Sequence, residues 1–263
     1  MNISESSAGA DPSISWSGRS ALVTGAAAGI GAAAAYRLAA LEVPITLATL
    51  RPGEGAEEVL ESIQSAGHKA QVGYGDVCDE AAVTQLVATA TETFGPPDIV
   101  VHAAGGFQNM ARVTDLDPAD FDRIVAVNLR STYLVMRAVL PGMIERGWGR
   151  FVTVASEMGR MPVRIGSPAY AASKAAVIGL TKHVAREVAD TGVTVNATAP
   201  STTLSPRVRS VYPDGGAAVA AQHPMRRLAE PDEQAAAIVF LCSPDASYVN
   251  GACLDVTGGA VNL

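Results

Sequence analysis

The sequence predicts one doubly wound α/β domain built on a parallel sheet of about seven strands. Short apolar runs alternate with helix-length segments from Arg19 onward, which implies crossover connections. A glycine-rich turn follows the first run, and 48% hydrophobic against 17% charged residues suits a sheet covered on both faces. A chain of 263 residues is long enough for one large core, and nothing in it reads as a dividing linker. The expected boundaries are a polar tail over 1–17, with no basic residue and no signal-like apolar block, and the domain over 18–263.

In order, "SALVTG" reads as the first strand and "GAAAAYRLAALE" as a small-residue helix. "VPITLATL" with "GEGAEEVLESIQSAG", and "KAQVGYGD" with "DEAAVTQLVATATETFG", repeat that unit. "DIVVHAAGG" precedes one long helical segment, "DPADFDRIVAVNLRSTYLVMRAVLPGMIERGWG". "RFVTVAS", a helix beginning near Tyr170, "VTVNATAP", the helix "EPDEQAAAIVFLCSP" and the strand "ACLDVTGG" complete the series. Residues 202–223, polar and proline-bearing, read as a mobile lid or an ordinary surface loop.

A net charge of -7 without a basic run argues against nucleic acid or an anionic membrane surface as partner. Cys78, Cys242 and Cys253 have neither disulfide nor metal-ligand spacing, so reduced thiols in a cytoplasmic protein without a metal are expected. No apolar run is long enough for a membrane helix.

Two motifs carry chemistry. In "TGAAAGIG", Gly25, Gly29, Ile30 and Gly31 sit where the first strand meets the first helix, and free N–H groups there suit a pyrophosphate. In "YAASK", Tyr170 and Lys174 are four apart and share a helix face. A free tyrosine has a pKa of about 10, and an ammonium about 5 Å away offers its anion roughly 3 kcal/mol, equivalent to a drop of about two units.

Together with "GDVCD", "HAAGG", "AVNL" and "VAS", these motifs resemble, in order and distance from Arg19 to the C-terminal end, the short-chain dehydrogenase/reductase family, and 3-oxoacyl carrier-protein reductases within it. The resemblance implies a Rossmann fold and hydride transfer between a nicotinamide and a carbonyl carbon. It implies that Tyr170 exchanges the proton, Ser156 holds the carbonyl oxygen, Lys174 binds the cofactor ribose, and Asn128 holds a relay water. For Asn128 the other reading is a buried amide mending a helix irregularity. Ser156 stands fourteen residues before Tyr170, one more than the family's usual spacing, a count that Glu157 occupies; Ser167 is a weaker competitor.

On the cofactor side the resemblance implies Asp76 and Val77 at the adenine, Ala104 and Gly105 at the ribose, and Pro200 and Thr203 at the carboxamide. Ser201 replaces the usual glycine. Leu50 stands where NAD enzymes carry an acid, with Arg51 next to it, so NADP(H) is expected, NAD is the alternative, and an exposed turn arginine is the structural reading of Arg51. His102 is more often a packing residue than a catalyst in such a place.

The expected substrate is a small ketone or a 3-oxoacyl group, free or carrier-bound, in an apolar pocket from Phe107, Met158, Met161 and Val163. Arg160 and Arg164 are candidates for an acidic substrate group or are solvated loop residues. A homotetramer is the family's usual assembly. The alternatives are an NAD-dependent secondary-alcohol or dihydrodiol dehydrogenase, and a non-catalytic nucleotide sensor or scaffold on the same frame.

Overall fold

The computed structural model describes residues 16–106, 111–162, 167–212 and 214–261. Among them seven strands, β1 (Ala21–Thr24), β2 (Ile45–Thr49), β3 (Ala70–Tyr74), β4 (Ile99–His102), β5 (Gly149–Val154), β6 (Val193–Pro200) and β7 (Cys253–Val256), form one parallel sheet in the order 3-2-1-4-5-6-7. Each is a strand that the apolar runs predict. Most of the expected tail, with Phe107, Val163 and Arg164, lies outside the described residues.

The helices are α1 (Gly29–Ala39), α2 (Ala56–Ser65), α3 (Glu80–Phe94), α4 (Pro118–Val125), α5 (Ser131–Glu145), α6 (Pro168–Glu187), α7 (Pro206–Val211), α8 (Ala217–Ala220) and α9 (Pro231–Cys242). Alternation along the strands divides the core. Val23 and Val101 pack with α1, α2 and α9 on one face, while Leu22, Val100 and Phe151 pack with α3, α5 and α6 on the other.

The expected long helical segment is one unbroken run from Pro118 to Glu145, in which α4 passes through one π-helical turn (Ala126–Arg130), where the backbone widens around Asn128, into α5. The stretch 202–223 is not a plain loop: it carries α7, capped by the Ser205 hydroxyl, and α8.

At the amino ends of the strands Trp148 lies between two guanidinium groups, Arg19 at 3.9 Å and Arg150 at 4.4 Å from the ring centroid. Arg150 is buried and donates to the carbonyls of Gly149 and Gly192, so its charge is solvated by backbone oxygens.

The carboxyl ends of β1 and β4, which pair side by side, are joined by buried side chains. Ser131 Oγ donates to the Val127 carbonyl at 2.6 Å, so it accepts from His102 Nε2 at 3.1 Å. His102 Nδ1 then accepts from Thr24 Oγ1 at 2.8 Å, which itself accepts from the Ala104 N–H at 3.2 Å. This neutral tautomer occupies both ring nitrogens, and burial, reinforced by the Lys174 charge, lowers the His102 pKa to about 3.

That shift has a consequence for stability. Unfolded histidine takes up a proton near pH 6.5 that the folded ring refuses down to about 3. The contribution of His102 is therefore complete above pH 6.5 and is lost as pH falls through this window, at up to about 1.4 kcal/mol per pH unit. Urea denaturation of the native protein and of His102→Gln across this range should give a shallower pH dependence for the variant; equal slopes would contradict the assignment.

Candidate active site

The order of the strands reverses between β1 and β4, which opens a crevice at their carboxyl ends. Gly25 leaves β1 with φ +65°, and a Cβ there would stand 2.7 Å from the Ala104 nitrogen, so only glycine lets the two backbones meet. Beyond it α1 starts at Gly29 with no side-chain cap and no acid in its first turn, which leaves its first N–H groups for an anion.

A cavity of about 860 Å³ extends from this point. Gly25, Gly29, Ile30 and Gly31 line it, as do Ala104 and Gly105. Pro200 and Thr203, at the end of β6, belong to the same wall, and so do Ser156, Tyr170 and Lys174. Arg51, Asp76 and Val77 are not among its lining residues; they sit beyond the ends of β2 and β3, toward the sheet edge. The turn that carries Arg51 nevertheless packs on the glycine-rich loop, since a Cβ at Gly55 would lie 2.9 Å from the Ala27 carbonyl oxygen. The cavity volume, the uncapped helix start and the close glycine backbone fit a dinucleotide.

Ser156 leaves β5 in extended conformation, and its Oγ accepts from the Met158 N–H, which starts a 3₁₀ turn at Glu157–Gly159. Its hydroxyl lies close enough to Tyr170, on the first turn of α6, to favour the phenolate, so of the two candidate serines Ser156 is the one that acts on the tyrosine. Ser167 precedes α6 and is buried. Lys174 Nζ lies 5.7 Å from the Tyr170 ring centroid and donates to the Val154 carbonyl at 2.6 Å.

The balance of charge here differs from the expectation. Burial dominates and raises the Tyr170 pKa above 10, against smaller lowering effects from the Ser156 hydrogen bond and the Arg207 charge; Glu157 pushes it up further. Burial also lowers Lys174 to about 8. The phenol is thus held protonated in the cofactor-free protein, and the two-unit drop expected from the ammonium does not appear.

Asn128 sits in the π turn, fully buried. Its Nδ2 donates to the carbonyls of Ile124 (2.9 Å) and Gly106 (3.0 Å), and its Oδ1 accepts from the Gly106 N–H at 3.0 Å. The reading in which the amide mends the helix matches this geometry. It also approaches Lys174: a Cβ on Gly105 would stand 2.6 Å from Asn128 Oδ1 and 3.5 Å from Lys174 Nζ.

Other residues change their reading. Asp76 Oδ1 accepts from the Cys78 N–H, and Asp79 caps α3. Arg160 is held in a two-pronged ion pair with Asp255 (2.9 and 2.7 Å), which removes it as a receptor for substrate. Ser201 continues the pairing of β6 by donating its N–H to the Val256 carbonyl, so serine is accommodated where glycine is usual. Sequence reasoning missed two groups, Arg207 of α7, which lines the cavity, and Glu54, which bridges Arg51 Nε (3.1 Å) and Thr49 Oγ1 (2.9 Å); Glu157, weighed there only for its count, lines the cavity beside Ser156. The signal for Glu54 is its place three residues past Arg51 in the same turn.

A family model described as enoyl-(acyl carrier protein) reductase matches residues 25–261. Cis-4-hydroxycyclohexanecarboxylate dehydrogenase of Sinomonas cyclohexanicum is 39% identical over 241 residues, covering 92% of this chain and 96% of that one. A 3-oxoacyl-(acyl-carrier-protein) reductase of Salmonella typhimurium is 35% identical over 246 residues, covering 94% and 98%. Among solved structures, a variant of actinorhodin polyketide ketoreductase with NADPH superposes with a TM-score of 0.88 at 33% identity, covering 95% of this chain and 99% of that one. With the parallel sheet and its order of motifs, these matches show that the chain belongs to the short-chain dehydrogenase/reductase family of NAD(P)-dependent enzymes.

Proposed function

We propose that this enzyme uses NADP(H) to reduce a ketone or 3-oxoacyl-type carbonyl to a secondary alcohol, or runs the reverse, with Tyr170 as proton donor and acceptor. The observation that carries the reading is the grouping of the Ser156 and Tyr170 hydroxyls beside the Lys174 ammonium, in the cavity that starts at α1. The nicotinamide, when bound, supplies or receives the hydride. The chain's own groups do the rest.

Two hydroxyls on one wall fix a carbonyl oxygen, with Ser156 holding it in line. Because burial keeps Tyr170 protonated, it offers the proton that the oxygen needs as the carbonyl carbon is reduced. Lys174 then stands beside the tyrosinate as a cation that favours the anion against the burial opposing it. Asn128 acts by fixing the Gly105–Gly106 backbone next to Lys174. The proposal extends to a cytoplasmic homotetramer acting on a small or carrier-bound carbonyl.

Gly25, Gly29, Ile30 and Gly31 would take the pyrophosphate, Asp76 and Val77 the adenine, Ala104, Gly105 and Lys174 the ribose, and Pro200 and Thr203 the carboxamide. Arg51, with a side chain 74% exposed, is available to a 2'-phosphate, and its Nε is already oriented by Glu54. One observation favours a second reading with NAD: the Glu54 carboxylate is able to accept from a ribose hydroxyl in place of Arg51.

Tyr170→Phe should lower kcat for ketone reduction by about 10²- to 10⁴-fold while NADPH still binds, followed by reduced-nicotinamide absorbance and by fluorescence titration; intact turnover would remove Tyr170 from the chemistry. Initial rates with each cofactor should favour NADPH, and Arg51→Ala should cut that preference by roughly tenfold to a hundredfold. A native preference for NADH would hand the role to Glu54.

A further inference from the structure

Glu157 is the carboxyl nearest in sequence to the reacting groups, and its position is fixed from both sides. The 3₁₀ turn it opens is pressed on α6, where a Cβ at Gly159 would stand 2.6 Å from the Lys174 carbonyl carbon. One residue past the turn, the ion pair of Arg160 with Asp255 ties it to β7. The residue is 9% exposed and lines the cavity with Ser156, Met158 and Tyr170.

Its hydrogen bonding is sparse for a group so placed. The Thr202 backbone lies close enough to favour its anion, and among the described residues no arginine, lysine or histidine forms an ion pair with it. A carboxylate has room for about four hydrogen bonds, so most of the acceptor capacity of Glu157 faces the cavity and is open to a ligand. Burial raises its pKa to about 7, so near neutrality it is present in both forms. Packing gives no reason for an acid here, since the neighbouring lining from Met158 and Met161 would accept an apolar side chain. A group that is under-bonded, rigidly held and beside the reaction centre is suited to a ligand that completes it.

We propose that Glu157 determines substrate specificity by accepting a hydrogen bond from a hydroxyl that the substrate carries close to the carbonyl held by Ser156 and Tyr170. The inference rests on the carbonyl-reducing reading above and narrows it to hydroxylated ketones, or the corresponding diols in the oxidative direction. A site that offers a buried acceptor rejects an analogue lacking the donor, because that analogue leaves the acceptor unpaired.

The test compares 2-hydroxycyclohexanone with cyclohexanone, using NADPH and NADH, in the native enzyme, Glu157→Leu and Glu157→Gln. The native enzyme should prefer the hydroxyketone in kcat/KM by about tenfold or more. Glu157→Leu should lose that preference through the hydroxyketone alone, and Glu157→Gln, which keeps an acceptor oxygen, should retain most of it. Because the preference is a ratio within one preparation, partial misfolding of a variant cancels. Equal losses for the two ketones, an unchanged preference in Glu157→Leu, or a native enzyme that turns over cyclohexanone equally well would overturn the proposal and leave the carbonyl reductase reading standing. Turnover of neither ketone by the native enzyme would overturn both.

Discussion

The close approach of two backbones at the ends of β1 and β4 is the constraint from which the site follows. Gly25 permits the contact, and the path from Ala104 through Thr24 and His102 to Ser131 holds it. The three segments so joined are the glycine-rich loop, the chain that leaves β4, and the π turn with Asn128. Each presents a surface to the same crevice, and the neutral imidazole ties them together through both of its ring nitrogens. A histidine that is tempting as a catalyst is thus a buried joint.

Within the crevice, burial and charge act against each other. Desolvation raises the phenol and lowers the ammonium, so both neutral forms gain before any ligand arrives. Arg207 and Glu157 bias Tyr170 in opposite directions and are smaller influences than burial. A bound nicotinamide would bring its own charge to this balance.

Most of the fold was legible because parallel strands buried on both faces leave long apolar runs, and because helices alternate with them without exception. The pairing of Tyr170 with Lys174 was legible for a similar reason: a spacing of four on a helix is geometry, and the glycines of the first turn are a steric requirement. The choice of Ser156 over the residue at the usual count followed from its place at the end of β5. What local sequence did not reveal were partners brought by the fold. Asp255, 95 positions away, takes Arg160 out of the pocket. Glu54 answers Arg51 across a turn whose shape was not evident from "RPGEG". The π turn and the two short helices after β6 also depend on tertiary contacts, Asn128 with Gly106 and Thr203 with Ala229, which no periodicity encodes.

The stacked arrangement of Arg19, Trp148 and Arg150 stands at the opposite end of the sheet from the crevice. An indole clamped there belongs to the scaffold and shares no contact with the dinucleotide cleft. Its emission, shared with that of Trp16 on the same core face, accordingly reports whether this end of the frame is intact.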